Sequence, residues 1–68
     1  MNNLISVVIP VYNGSQYIGK TLECLLHSTY HDIEIICVDD FSTDDSVSII
    51  LKYAEQDNRI RLLRMEKK

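Results

Sequence analysis

The residues best suited to chemistry are an acidic pair, Asp39 and Asp40. They follow an apolar run at 33–38, typical of a buried strand, and precede a helix-start signal, Ser-Thr-Asp-Asp, at 42–45. In a parallel α/β sheet, ligands bind outside the carboxyl ends of the strands. The pair is therefore predicted to face a binding crevice, where a carboxylate can accept hydrogen bonds from a base N–H or a ribose hydroxyl.

A second loop, residues 10–14, follows the first predicted strand and emerges on the same side of the sheet. Its Tyr12 offers an aromatic face on which a planar base can stack, and helix N-termini close to the loops favour phosphate. Each of these features also has a purely structural interpretation. In it, Tyr12 would pack on a helix, Asp40 would form an Asx turn, and the cluster at 42–45 would cap a helix. Neither GxGxxG nor GxxxxGK[ST] occurs in the sequence, so phosphate needs another anchor.

Three strands must position these loops. Residues 4–9 are mostly β-branched and predict a first strand that stops or frays at Pro10, which has no N–H to donate. The second strand, 33–38, is apolar apart from Glu34, as expected for a strand covered on both faces. Weak alternation at 59–65 predicts a third strand, whose arginines suit an exposed edge.

Two helices are predicted between the strands. The first should end near Ser28 and carries an apolar stripe formed by Ile18, Leu22, Leu25 and Leu26. The second should be capped by Ser42 or Thr43, with Asp44 and Asp45 at the positive end of its dipole. Its buried stripe is predicted to comprise Val47, Ile50, Leu51 and Ala54.

The order β-α-β-α-β with helical crossovers predicts the α/β class. It corresponds to one half of a Rossmann-like, doubly wound domain: a three-stranded parallel sheet in the order 3-2-1 with helices packed on it. Strand one then forms an apolar edge that carries no arginine. Such an edge can pair with another copy or another chain, so a non-catalytic interaction module that self-associates through it is an alternative function.

Composition narrows the function classes. Sixty-eight residues make one small domain, and a net charge of -3 argues against a nucleic-acid partner. Five of the last ten residues are basic: Arg59, Arg61, Arg64, Lys67 and Lys68. We interpret them as a solvated edge strand and tail. The alternative is peripheral membrane contact in the full-length protein. No run approaches the roughly 18 apolar residues of a membrane span. The N-terminus lacks the basic start of a signal peptide, so we expect a cytoplasmic protein.

The cysteines and histidines do not predict a metal site. Cys24 lies in the apolar helical stripe and Cys37 in the buried strand, and without a CxxC motif both are expected to be reduced core residues. His27 and His31 flank the turn between helix and strand without a third ligand nearby, which predicts surface positions. A phosphoacceptor domain of the receiver type also places acidic residues at a strand end, but its downstream lysine strand is absent here.

Two motifs carry a family resemblance. The first motif is Ser-Val-Val-Ile-Pro-Val-Tyr-Asn at 6–13, and the second is Val-Asp-Asp-Phe-Ser-Thr-Asp-Asp-Ser at 38–46. The two motifs occur in order and at the separation usual for the family. Together with the intervening residues 17–18 and 32–37, they resemble the N-terminus of family 2 glycosyltransferases with the GT-A fold. The resemblance covers nearly the whole chain. Phe41 departs from the glycine that is common at its position in that family.

The resemblance implies that the donor is a nucleotide-diphosphate sugar, and we expect a uridine diphosphate sugar. The loop after strand one would lie against the nucleoside, Asp39 would recognise the base, and Asp40 would lie near the ribose. The implied nucleotide-binding residues are Pro10, Val11, Tyr12, Asn13, Asp39 and Asp40. Members of the family transfer the sugar with inversion, using magnesium or manganese held by a downstream D-x-D motif and a later carboxylate as general base.

No D-x-D motif occurs in this sequence. Residues 1–68 are therefore expected to be the incomplete N-terminal part of a nucleotide-diphospho-sugar-binding domain, without catalytic or metal-binding residues of its own. Such a chain is predicted to be inactive by itself as a transferase.

Overall fold

The computed structural model describes residues 3–65. The elements are β1 (Ile5–Val11), α1 (Ile18–Leu26), β2 (Ile33–Asp39), α2 (Ser46–Gln56) and β3 (Ile60–Arg64). All strand pairs are parallel, and β2 lies between β1 and β3. The predicted α/β class and the sheet order 3-2-1 are confirmed. Lys67 and Lys68 of the predicted basic tail lie outside the described residues.

Strand β1 continues through Pro10, so the prediction that it stops there is wrong. Ile5 donates its N–H to the carbonyl of Asp32 at 3.0 Å, and Val11 accepts from the N–H of Asp40 at 2.9 Å. Backbone groups alternate in direction along a strand, so the odd-numbered residues of β1 face β2. Pro10 points its ring nitrogen to the open edge, where no ladder hydrogen bond is lost.

Both helices cover the same face of the sheet. Two right-handed crossovers that step in the same direction across a sheet place both helices on one face. In agreement with this, α1 and α2 contact each other. Along β2, residues therefore alternate strictly between buried and half-buried. The prediction that β2 is covered on both faces is wrong for this chain, because two helices on one face leave the other face open. That face exposes Val8 by 59% and Leu63 by 56%.

The core lies between the sheet and the two helices. Its buried apolar members are Val11, Ile18, Leu22, Ile33, Ile35, Cys37, Ile50 and Ile60. The predicted stripe of α1 is confirmed, since Leu25 and Leu26 pack against this core. On α2, Leu51 is 49% exposed, contrary to prediction, while Ile49 and Tyr53 pack on the core instead.

The two cysteines differ in their surroundings. Cys37 is buried in β2, and burial raises the pKa of its thiol, because a low-polarity environment disfavours the thiolate. Cys24 is exposed, so its prediction as a core residue is wrong. It lies two positions after buried Leu22, which on a helix places it on the opposite side. His27 and His31 are exposed, as predicted.

Helix α2 begins later than the capping signal predicts. Its first residue is Ser46, Asp45 occupies the N-cap position without a side-chain capping bond, and no acidic residue lies in the first turn. The predicted caps, Ser42 and Thr43, are therefore wrong. Their polar groups are instead engaged with the loop that follows β1.

None of the helices among residues 3–65 is long and apolar enough to cross a membrane.

Candidate functional site

The strand ends bring the two candidate loops together. Val11 at the end of β1 and Asp39 at the end of β2 are paired in register, and Asp40 donates its backbone N–H to Val11. Because the strands are parallel, Tyr12 and Asp40 leave the sheet at the same edge. The predicted nucleotide-binding residues thus share one end of the sheet.

Asn13 ties the first loop to the second. Its backbone N–H donates to the hydroxyl of Ser42 at 2.9 Å, and its side-chain oxygen accepts from the N–H of Thr43 at 2.7 Å. Its φ is 48°, in the left-handed region, which asparagine tolerates better than most residues. The side chain of this predicted ligand residue is therefore engaged in holding the loops together.

Two further backbone groups of the first loop have partners in the second. Gly14 donates its N–H to the hydroxyl of Ser46 at 2.7 Å, within a buried environment. Ser15 donates its N–H to Oδ2 of Asp44 at 3.0 Å. We call this set of bridging residues the loop clamp, and it consists of Asn13, Gly14, Ser15, Ser42, Thr43, Asp44 and Ser46.

Asp44 is the charged centre of the loop clamp. Its Oδ1 accepts from the N–H of Ser46 at 3.0 Å and from the Ser46 hydroxyl at 2.5 Å. The Ser46 hydroxyl, the Ser15 N–H and the Ser46 N–H stabilise the charged form, and together they lower the pKa of Asp44 to about 2. Asp44 thus stabilises the fold, and its carboxylate accepts a hydrogen bond from the N–H of the first residue of α2.

Asp39 is buried, holds the second loop and lines a cavity. It is 2% exposed, and Ser42 donates its N–H to Oδ2 at 3.1 Å and its hydroxyl to Oδ1 at 2.5 Å. A carboxylate oxygen has more than one acceptor site, so these bonds leave capacity for a ligand. Asp39 also lines an open cavity of about 370 Å³ together with Phe41, Arg64 and Met65.

The other predicted residues are more open. Tyr12 is 60% exposed, Asp40 and Pro10 are exposed, and Val11 is buried beneath the loop. The alternative in which Asp40 forms the local turn does not describe the structure, because Asp39 accepts the turn-forming bonds from Ser42. The ligand-binding roles of Tyr12 and Asp40 stay predictions.

The cavity includes residues that sequence reasoning did not select. Arg64 ends β3 and is paired in register with Asp39, and Met65 donates its N–H to the carbonyl of Asp39 at 2.9 Å. The rule that points to the ends of β1 and β2 applies equally to β3. Phe41 has a φ of 58°, which explains why glycine suits this position: glycine adopts left-handed φ values without steric cost.

The site does not supply a metal-binding set. Among residues 3–65 no group of three histidine, cysteine or acidic side chains is placed to hold a metal ion. The carboxylates of Asp39 and Asp44 accept hydrogen bonds from serine hydroxyls. The described residues therefore do not fit a divalent metal.

The structure is an α/β domain with a cavity at the carboxyl ends of parallel strands. A family model described as Glycosyl transferase family 2 matches residues 6–68, and the chain belongs to this family. The resemblance inferred from the two sequence motifs is confirmed, as is the GT-A fold.

Relatives and solved structures agree with this assignment. Glycosyltransferase GlyG of Streptococcus pneumoniae is 50% identical over 68 residues, which is all of this chain and 23% of the relative. The Pyrobaculum calidifontis mannosyltransferase PcManGT, solved with GDP-Man and Mn²⁺, is 25% identical with a TM-score of 0.83, over 94% of this chain and 20% of the neighbour. S. aureus TarS 1-349 in complex with UDP is 29% identical with a TM-score of 0.79, over 97% and 20%. The chain thus spans about a quarter or less of these proteins.

Proposed function

We propose that this chain forms the nucleoside-binding part of a glycosyltransferase donor site, and that the donor is a uridine diphosphate sugar. The observation that carries the proposal is that Asp39 lines the cavity at the end of β2 and is paired in register with Val11, the residue before Tyr12. Two structural neighbours were solved with a nucleotide or nucleotide sugar, GDP-Man in one and UDP in the other, which supports a nucleotide ligand at this fold.

In the full-length enzyme, the sugar would pass to an acceptor hydroxyl with inversion. The general base and the ligands of a magnesium or manganese ion would come from outside residues 1–68. A divalent ion offsets diphosphate charge, and the neighbour solved with Mn²⁺ supports its use. The chain by itself contributes donor binding: Asp39 accepts from the base, Asp40 lies towards the ribose, and the loop from Pro10 to Asn13 contacts the nucleoside. We infer a cytoplasmic location for it.

A titration of the isotope-labelled chain with uridine diphosphate tests the proposal. We expect resonances of Tyr12 and Asp39 to shift, and uridine to shift the same residues, because the base and ribose supply the contacts. Affinity should be low, since Asp39, Asp40, Asp44 and Asp45 repel a diphosphate without a metal. Spectra unchanged at millimolar ligand would contradict binding by this chain.

A matched pair of variants locates the binding carboxylate. Asp39→Asn keeps the shape of the side chain but replaces one acceptor oxygen by a donor, so uridine binding should be lost. Asp45→Asn changes an exposed acid of the same loop. It should leave uridine binding intact and strengthen uridine diphosphate binding slightly. Equal losses in both variants would rule out a specific role for Asp39.

The alternative function is self-association through the edge of β1. It is favoured by one observation: within residues 3–65, β1 has a neighbouring strand on one side only. Pro10 argues against self-association, because proline has no N–H to donate on the open side of the strand. Sedimentation equilibrium would distinguish the two functions, since a chain that stays monomeric at high concentration while binding uridine diphosphate would exclude edge pairing.

A further inference from the structure

The sequence contains one Asn-Gly pair, Asn13 and Gly14, and it lies within the loop clamp. Asparagine is thermolabile, because the backbone nitrogen that follows it can attack its side-chain amide. Glycine makes this attack easiest, since it has no Cβ to obstruct the approach and its backbone is the most flexible. The other asparagines, Asn2, Asn3 and Asn58, are followed by larger residues. In the unfolded chain, Asn13 is therefore the asparagine most prone to lose its amide.

The folded loops engage both groups that take part in this reaction. The nucleophile, the Gly14 nitrogen, donates its N–H to the Ser46 hydroxyl at 2.7 Å in a buried environment. This nitrogen must lose its proton before it can attack, and burial keeps water and hydroxide away from it. The group that would be attacked, the Asn13 amide, accepts the Thr43 N–H on its side-chain oxygen at 2.7 Å. Both hydrogen bonds have to break before the two groups can react.

The ring of Tyr17, at the N-cap position of α1, covers Gly14 from another side. A Cβ atom at Gly14 would lie 2.5 Å from Cζ of this ring, which is closer than van der Waals contact allows. Tyr17 and Ile18 also donate their N–H groups to the Gly14 carbonyl, at 3.0 and 2.8 Å. The Gly14 backbone is thus enclosed between Ser46 and Tyr17, and its nitrogen becomes available only when the loops separate.

We propose that Asn13 is the site of a spontaneous covalent modification, deamidation, and that opening of the loop clamp controls its rate. The Gly14 nitrogen loses its proton to solvent and forms a bond to Cγ of Asn13. The bond between Cγ and the side-chain nitrogen breaks, and that nitrogen takes up a proton and leaves as ammonia. Water then opens the succinimide ring at one of its two carbonyl groups. The product is aspartate or, where the main chain continues through the side chain, isoaspartate.

The modification would disrupt the loop clamp that delays it. Aspartate at position 13 adds a negative charge to a loop that is already bonded to the Asp44 carboxylate. Isoaspartate adds a methylene group to the main chain, so the N–H groups of positions 13 and 14 no longer meet Ser42 and Ser46 together. The inference goes beyond the proposed function, because it does not depend on a bound nucleotide.

The test follows the 68-residue chain in mildly alkaline buffer by peptide mass spectrometry, which detects replacement of an amide NH₂ by OH. Asn13 should react at least about tenfold more slowly in the folded chain than in urea, the ratio given by a loop clamp that is open a tenth of the time. Ser46→Ala removes the acceptor of the Gly14 N–H and should raise the rate in the folded chain by at least about fivefold. Asn58, exposed in a turn, should react at similar rates in both states.

Matched variants separate opening of the loop clamp from unfolding of the chain. Ile60→Val shortens a core residue at the first position of β3 and lowers stability without touching the loop clamp. When urea brings both variants to the same folded fraction, Asn13 should react faster in Ser46→Ala than in Ile60→Val. Ser48→Ala, an exposed serine of α2, should leave the rate unchanged.

A second pair of variants tests the same enclosure without removing a bond of the loop clamp. Tyr17→Leu uncovers Gly14 and should raise the rate at Asn13, whereas Tyr17→Phe keeps the ring and should not. This pair decides the question even if Ser46→Ala does not fold. Equal rates at Asn13 in the folded chain and in urea would overturn the proposal. So would a faster reaction at Asn58 than at Asn13 in urea, or a folded Ser46→Ala chain that reacts no faster than the unchanged one.

Discussion

The two sides of the carboxyl edge of the sheet are built in opposite ways. Between β1 and β2, the loop clamp uses hydroxyl, carboxylate and backbone N–H groups to satisfy one another. Between β2 and β3, charged and aromatic side chains border an open cavity. The region richest in polar residues is thus mainly structural, and the open cavity lies at the neighbouring strand end.

Two serines show how the loop clamp works. Ser42 and Ser46 each donate a hydroxyl to a carboxylate and accept a backbone N–H from the other loop. Within residues 3–65, every buried side-chain nitrogen or oxygen has a hydrogen-bond partner. Asp39 belongs to both regions, since it holds Ser42 and lines the cavity, so loop geometry and ligand binding are linked through this residue.

The largest expected effect comes from removing the buried hydroxyl of the loop clamp. Ser46→Ala leaves the N–H of Gly14 without its acceptor, which should lower the free energy of unfolding by about 1–3 kcal/mol. Urea denaturation measures the change. Ser48→Ala, an exposed serine on the same helix, should shift the free energy by less than about 0.5 kcal/mol. Equal effects would show that the loop clamp does not stabilise the fold.

Asn13 allows the hydrogen bond and the backbone strain to be separated. Asn13→Ala loses the bond to Thr43 and replaces asparagine by a residue that tolerates a φ of 48° less well, which should cost about 1–2 kcal/mol. Asn13→Gly loses the same bond but adopts this backbone freely. Denaturation should find the alanine variant less stable than the glycine variant, and the reverse order would contradict a left-handed Asn13.

Phe41 provides the corresponding comparison on the cavity side. Phe41→Gly and Phe41→Ala both remove the ring, but only alanine keeps a Cβ at a φ of 58°. The glycine variant should be more stable by about 1 kcal/mol. In an ordinary strand or helix the order is the reverse, so a more stable alanine variant would argue against the left-handed conformation. Thermal unfolding of the two variants gives the difference.

The smallest expected effect is the response of the loop clamp to acid. The folded chain lowers the pKa of Asp44 from 3.8 to about 2. Since the depressed pKa belongs to the folded state, the stabilisation is fully present above about pH 4 and is lost as the pH falls towards 2. Asp57, whose pKa Arg59 lowers, responds in the same direction.

Denaturation curves between pH 5 and pH 2 would measure this response. Asp44→Asn should flatten the decline but not abolish it, because Asp57 still titrates. An unchanged decline in Asp44→Asn would remove Asp44 from the acid response.

Sequence reasoning predicted the elements well and their ends less well. The apolar runs and helical spacing identified all three strands and both helices of the described chain. The end of β1 at Pro10 was wrong, because the cost of a missing N–H depends on which side of the strand has a neighbour. The predicted start of α2 was wrong because Ser42 and Thr43 are good caps locally but have partners in the other loop.

The site was predicted in the same uneven way. Asp39 and Asp40 were identified correctly as residues at the end of a parallel strand. Arg64 and Met65 were missed as cavity residues, although the reasoning that selected the first two strand ends covers the third. Cys24 was placed in the core because it was counted with the apolar stripe of α1, although its position two residues after Leu22 puts it on the opposite side of the helix.

The sequence by itself determined the order of elements, the parallel sheet and the family, because these depend on short-range patterns and on two compact motifs. The tertiary structure decided which polar groups are structural and which border the cavity. The reason is distance along the chain: the partners in the loop clamp are 29 to 32 residues apart. Only the register of β1 against β2 brings them together, and only the end of β3 closes the cavity beside Asp39.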